Sequence, residues 1–211
     1  MNKLYGLTAI AETVAESIGV SDEKKSLIHR QLKHLLATKA ILPTDRIGGR
    51  GDTVFDEREA SKARIQLAVM DAGLDAKTLT GIEKVWDRGI EFGLEGLPLS
   101  INETFPPRAL DAVLYDARRE DAPEWFLVIV VRRNVETGER LIVGVFRRAD
   151  QNAFADDDPA SGKGPFADNV EVSEGHVASN GEVTWESRGR HLTIAEFRFP
   201  VTKLIKPLLM D

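Results

Sequence analysis

The first 40 residues carry apolar side chains with the period of an α-helix. Over residues 7–17 they recur at three- and four-residue steps, which predicts an amphipathic helix. Gly19 suits a left-handed C-terminal cap, and Ser21 or Asp22 can cap a following helix. A second helix is predicted over residues 22–39, with an apolar face formed by Leu27, Ile28, Leu32, Leu35 and Leu36. The two helices therefore meet at a tight helix-turn-helix corner.

The next segments predict a hairpin and two further helices. Residues 44–55 have short extended ends around a glycine-rich, basic tip, a pattern typical of a β-hairpin wing. Asp56 can cap a helix over residues 56–72, because its side chain can accept from the free N–H groups of the first turn. Apolar spacing predicts another helix over residues 76–92.

Beyond residue 92 the pattern changes from helical to extended. Residues 93–123 are interrupted by Pro98, Pro106 and Pro107, which favours a linker or irregular packing segment with a short helix at 108–118. A hairpin turn at Thr137-Gly138 predicts antiparallel pairing of the strands before and after it. Strands are predicted over residues 125–133, 141–147, 170–172, 183–187 and 192–199, with an exposed loop at 150–168 and a closing helix at 201–210.

This order of elements predicts an α+β fold. A winged helix-turn-helix, mostly α with a β-hairpin wing, is expected at residues 1–92. A linker is expected at 93–123, and a small antiparallel-sheet α+β domain, for an effector or for oligomerisation, at 124–211. The length of 211 residues, with 42% hydrophobic and 29% charged residues, suits one large or two small globular domains.

Cysteine content and hydropathy indicate in which cellular compartment the protein is expected. The chain has no cysteine, which fits a reducing environment. Its longest apolar run, residues 126–131, is six residues long, far below the roughly 20 that cross a bilayer. The N-terminus lacks a charged region followed by an apolar signal core. We therefore expect a cytoplasmic protein with no membrane partner.

Charge is unevenly distributed along the chain. The net charge of −6 argues against a nucleic-acid partner, because neutralising phosphates supplies much of the affinity of such proteins. Residues 24–64, however, hold ten basic and five acidic residues, a local charge of +5, whereas residues 93–211 hold 14 basic and 20 acidic residues, a local charge of −6. This division is expected of a DNA-binding domain with an acidic companion.

The basic part of the second helix and the wing supply the candidate DNA-binding residues. A helix in the major groove needs polar and basic side chains on one face, with cations beside it for the phosphates. Seven residues are so placed: Lys25, Ser26, His29, Arg30 and Lys33 for the groove, and Arg46 and Arg50 for the backbone or minor groove. The alternative is a basic helix face that is merely solvated.

The order of these elements resembles the N-terminal domain of MerR-type winged-helix regulators. The resemblance covers roughly residues 7–85 and lies in Ile28-His29-Arg30-Gln31-Leu32-Lys33, the link Ala40-Ile41-Leu42-Pro43, the wing Arg46-Ile47-Gly48-Gly49-Arg50-Gly51 and Phe55-Asp56-Glu57. It implies a sequence-specific regulator of transcription that binds double-stranded DNA. Because one recognition helix reads few base pairs, a homodimer is expected, through the 76–92 helix or the C-terminal sheet.

Other motifs carry little chemistry. Gly162-Lys163-Gly164 lacks the spacing of a phosphate loop, and Asp156-Asp157-Asp158 lacks that of a calcium loop. The four histidines show no paired metal spacing. We therefore predict no catalytic residues, metal or cofactor, and a protein that is not an enzyme. Two alternatives stay open: a phage- or toxin-system adaptor whose winged helix and C-terminal sheet bind a protein partner, and an uncharacterised enzyme in residues 93–211.

Overall fold

The structure is a computed structural model that describes residues 3–20, 22–47, 52–90, 94–150, 170–177 and 183–209. Over these residues the chain forms six α-helices and two antiparallel sheets, which confirms the predicted α+β class. None of the described helices is both long and apolar enough to cross a bilayer.

The first sheet and three helices form the N-terminal part. In chain order they are β1 (Tyr5–Gly6), α1 (Leu7–Ile18), α2 (Asp22–Ala37), β2 (Asp45–Ile47), β3 (Asp52–Phe55) and α3 (Glu57–Asp71). The strands lie in the order β1-β3-β2, with Tyr5 opposite Phe55 and Arg46 opposite Thr53. The predicted hairpin is therefore confirmed, and the short strand before α1 widens it to three strands.

Backbone geometry closes the corner between α1 and α2. Gly19 has φ of +62°, a left-handed conformation that glycine adopts without steric cost. Its N–H donates to the carbonyl of Glu16, and that of Val20 donates to Ala15, both over 3.1 Å. These bonds satisfy carbonyl groups that the helix end leaves open. The predicted helix end at Gly19 is confirmed.

The predicted helix over residues 76–92 is wrong in its length. The chain forms α4 (Ala76–Gly81) and a single 3₁₀ turn, Glu83–Val85. Beyond that turn, backbone hydrogen bonds run to a neighbouring segment: Ala109 N–H donates to Arg88 O over 2.9 Å, and Ile90 N–H donates to Pro107 O over 3.0 Å. These tertiary bonds take the place of the helical ones.

The second sheet lies in the C-terminal part. Its elements are α5 (Ala109–Ala117), β4 (Trp125–Asn134), β5 (Arg140–Arg148), β6 (Val170–Val177), β7 (Val183–Pro200) and α6 (Val201–Leu209). The order is β5-β4-β7-β6, antiparallel throughout. The antiparallel pairing of β4 with β5 is confirmed. The two strands predicted at 183–187 and 192–199 are one continuous strand. Most of the predicted 150–168 loop lies outside the described residues.

One buried core joins the two parts. Helix α6 packs against α1, α3 and α5, and Tyr5 Oη donates to Leu208 O over 2.7 Å. Helix α3 lies at the centre and buries residues on all its sides, including Lys62 and Arg64. The helical part and the sheet therefore share apolar surface, while the predicted domain boundaries at residues 92 and 123 stay predictions.

Candidate nucleic-acid interface

Helix α2 separates its residues into a buried and an exposed face. Ile28, Leu32 and Leu35 are buried and hold the helix against α1 and α3. On the opposite side, Ser26, Arg30 and Lys33 are exposed. The structure thus brings three of the predicted site residues together on one face that the core leaves free.

Two other predicted residues on α2 are less available. Lys25 and His29 are half-buried. Lys25 Nζ lies 3.2 Å from Glu12 Oε1 of α1. An ion pair at this exposure contributes little to stability, about 0–1 kcal/mol, so a stronger anion can compete with Glu12 for this lysine.

The hairpin of β2 and β3 carries the predicted wing residues. Arg46 is exposed on β2, and its N–H donates to Asp45 Oδ1 over 2.7 Å. Asp45 and Asp52 are exposed on the same hairpin and reduce its positive charge. Arg50, the other predicted wing residue, lies outside the described residues.

Side-chain hydrogen bonds fix the base of this hairpin to α3. Leu42 N–H donates to Glu59 Oε2, and Asp56 N–H donates to Thr44 Oγ1, each over 2.8 Å. Asp56 is also the predicted cap of α3, since its Oδ1 accepts from Glu59 N–H over 2.9 Å. The link after α2 and the hairpin are therefore anchored to the same first turn of α3.

The basic surface is narrower than the charge count of residues 24–64 indicates. Arg58 donates to Asp111 Oδ1 over 3.0 Å and to Asp87 Oδ1 over 2.8 Å. Lys62 and Arg64 are only 8% and 6% exposed. Lys62 and Arg64 are therefore buried and Arg58 is neutralised by two carboxylates, so that α2 supplies most of the exposed positive charge among the described residues of 24–64.

The buried side chain of Arg64 stabilises the corner between α1 and α2. Its Nη2 donates to Ser17 Oγ near the end of α1 over 3.3 Å. Burial lowers the pKa of this guanidinium, and the charge of Asp71 partly opposes that shift. An arginine stays protonated at neutral pH even so, so Arg64 acts as a structural cation beneath α1.

Two exposed lysines near α2 were not among the predicted site residues: Lys24 in its first turn and Lys39 just beyond its C-terminal end. Their charge was the signal that could have added them to the candidate set. Leu27, predicted to belong to the apolar face, is 44% exposed. The exposed side of α2 is therefore basic, with one large apolar side chain among its described residues.

Comparison with known proteins returns no match from protein-family models, curated proteins or solved structures. Within the described part of the chain, no three His, Asp or Glu side chains are grouped as metal ligands. The features that bear on function are therefore the geometry and charge of α2 and the hairpin.

Proposed function

We propose that residues 5–71 form a winged helix-turn-helix that binds double-stranded DNA. The observation that carries the proposal is the exposed face of Ser26, Arg30 and Lys33 on the second helix of a tight corner. Such a helix fits the major groove, where basic and hydroxyl side chains reach base edges and phosphates. The antiparallel order β1-β3-β2 supports the same proposal, because it sets a hairpin beside the helix pair.

We further propose that the protein regulates transcription as a homodimer. The resemblance to MerR-type regulators over residues 7–85 is the basis for regulation. Two copies would place two α2 helices in successive major grooves, about 34–36 Å apart, and read a longer site than one copy. Sedimentation of the full chain with and without duplex tests the dimer.

A titration of a fluorescent genomic duplex pool tests DNA binding. At low salt the full chain should raise the anisotropy, and Arg30→Ala/Lys33→Ala should weaken that binding. The matched control is Lys77→Ala/Lys84→Ala, because it removes two exposed cations outside α2 and the hairpin. Absence of binding by the unaltered chain, or equal loss in both double variants, would overturn the proposal.

Exposed Leu27 favours a second candidate, a protein-interaction module of the adaptor type. An apolar side chain in a basic face suits an acidic, partly apolar partner surface better than a phosphate backbone. Leu27→Ser should then abolish capture of a stoichiometric protein partner, while Arg30→Ala/Lys33→Ala should not. The reverse pattern of losses contradicts this candidate.

A further inference from the structure

A cavity of about 440 Å³ lies between β5, an edge strand of the second sheet, and residues 85–90. This volume falls in the range of small-molecule sites, about 300–1,000 Å³. Its apolar walls are formed by Val85, Ile90, Trp125, Val143, Val145 and Phe146, and two arginines, Arg88 and Arg147, also line it. It lies apart from the α2 face.

The walls of this cavity are fixed before any ligand arrives. Trp125 is 1% exposed, and its Nε1–H donates to buried Asp116. Phe146 packs edge-on against Trp86, with 5.7 Å between ring centroids. The opposite wall is held by the backbone bonds from Arg88 and Ile90 to residues 107–109. A site of this kind loses little conformational entropy on binding.

A glycine permits the close approach of that opposite wall. A Cβ atom at Gly89 would lie 2.6 Å from Pro106 Cγ, well inside van der Waals contact. Residues 88–90 can therefore lie beside residues 106–108 only because position 89 has no side chain.

The two charged side chains in the described lining of the cavity, Arg88 and Arg147, are both positive. Arg88 is exposed, and its side chain has no ion pair or hydrogen bond with another described residue. Its neighbour Asp87 is already bound by Arg58 at 2.8 Å and approached by Arg108 at 3.6 Å. Arg147 is half-buried, so its charge is less screened than one in water. Among the described residues that line the cavity, none is acidic.

The free edge of β5 gives the cavity a backbone hydrogen-bond donor, the N–H of Phe146. Ala149 N–H donates to Glu124 O over 2.7 Å, and the register pairs Phe126 with Arg147 and Leu127 with Phe146. Hydrogen-bonded and non-bonded pairs alternate along antiparallel strands. Phe146 is therefore in a non-bonded pair, and its N–H points away from β4 at the sheet edge.

We propose that this cavity binds a small organic carboxylate with an aliphatic or aromatic body. The body fills the space beside Trp125 and Phe146, and the carboxylate accepts from the guanidinium group of Arg88. The positive charge of Arg147 in the same lining favours an anion. An uncharged analogue forms no ion pair with either guanidinium. This assignment does not depend on DNA binding.

Matched pairs of probes test the assignment on the full chain. The carboxylates are 4-phenylbutyrate, octanoate and indole-3-acetate, and the controls are the corresponding alcohols. In calorimetric titrations at least one carboxylate should bind about tenfold or more tightly than its alcohol, because hydrogen bonds to charged groups are stronger than neutral ones. The indole N–H resonance of Trp125, assigned through Trp125→Phe, should shift on binding.

Two variants locate the site. Arg88→Gln should weaken the carboxylate about tenfold and leave the alcohol unchanged, while Lys84→Gln, which removes an exposed charge outside the cavity, should change neither. Val145→Phe should block both by filling the space. Failure of all three carboxylates, equal affinity of acid and alcohol, or equal effects of Arg88→Gln and Lys84→Gln would overturn the proposal. Because Arg88 is exposed, Arg88→Gln should leave the packing of the core unchanged.

Discussion

The indole nitrogen of Trp125 donates a hydrogen bond to Asp116 Oδ2 over 2.8 Å and joins the start of β4 to α5. Asp116 is fully buried. Two guanidinium groups flank its carboxylate: Arg119 Nη1 lies 3.2 Å from Oδ1, and Arg148 Nε lies 3.5 Å from Oδ2. One carboxylate thus contacts two guanidinium groups and one indole, and Asp150 gives Arg148 a second carboxylate at 3.0 Å.

Asp116→Ala should lower the free energy of unfolding by about 1–3 kcal/mol, because it leaves the buried indole N–H of Trp125 without its acceptor. Urea denaturation followed by circular dichroism measures the loss. Asp121→Ala is the control, since Asp121 is exposed on the loop after α5. Equal stability of both variants would contradict the role given to Asp116.

Gly19→Ala should destabilise the corner by about 1–2 kcal/mol, because a Cβ atom disfavours a positive φ. Gly6→Ala is the matched control: Gly6 has φ of −78°, and both positions have open space for a methyl group. Steric crowding therefore cannot explain a difference between them. A loss of stability in both variants alike would argue against conformational strain at Gly19.

Arg132→Met should leave stability unchanged or raise it by about 1–4 kcal/mol. Arg132 is 5% exposed, and its Nε and Nη2 have no hydrogen-bond partner among the described residues. Burial lowers its pKa, the expected sign for a cation moved out of water. Arg133→Met, at the exposed neighbouring position, controls for loss of charge. A marked loss of stability in Arg132→Met alone would reveal a counter-charge for this guanidinium.

Asp75→Asn should change how stability depends on pH. The N–H of Thr78 donates to the Asp75 carboxylate over 2.9 Å, the Thr78 hydroxyl donates to the same oxygen, and these bonds hold the pKa of Asp75 below its ordinary 3.8. A carboxyl whose folded pKa is depressed stabilises the fold above the ordinary value, and this contribution is lost as pH falls through the folded pKa.

Urea midpoints of the unaltered chain and Asp75→Asn, taken from neutral pH down through 3.8, test this dependence. Asparagine keeps a capping oxygen without the charge. The unaltered chain should be the more stable at neutral pH, and the difference should shrink in acid. A difference that stays constant with pH would show that the charge of Asp75 makes no contribution.

Salt provides a separate test of the proposed DNA interface. The logarithm of the binding constant should fall linearly with the logarithm of salt concentration between about 50 and 200 mM. Arg30→Ala/Lys33→Ala should make this slope shallower by about 1.8, roughly 0.9 for each phosphate that the variant no longer neutralises. A slope identical to that of the unaltered chain would place both side chains away from the phosphates.

Most helices and strands could be predicted because their signals are local. Gly19 and Asp56 mark helix ends through backbone conformation and capping, and the alternation of buried and exposed residues on α2 follows its sequence. The segment after Gly81 could not be predicted, because its conformation depends on bonds to residues 107–109, which are distant in the sequence.

The candidate site could be predicted only in part, for the same reason. Arg30 and Lys33 followed from helical spacing. Lys62 and Arg64 entered the count of basic residues although they are buried, and Arg58 although two carboxylates neutralise it, because α3 is surrounded by elements from the whole chain. Leu27 shows the reverse error, since its place in the apolar pattern did not bury it.

The bond between Tyr5 and Leu208 spans 203 positions of sequence. Strand β1 and helix α6 are therefore in direct contact although nearly all of the described chain lies between them. A short glycine-rich bridge from residue 209 to residue 4, with new ends opened at the exposed Thr137-Gly138 turn, would give a circular permutant. That permutant should retain every described strand pairing of both sheets, because neither the bridge nor the new ends interrupt a strand.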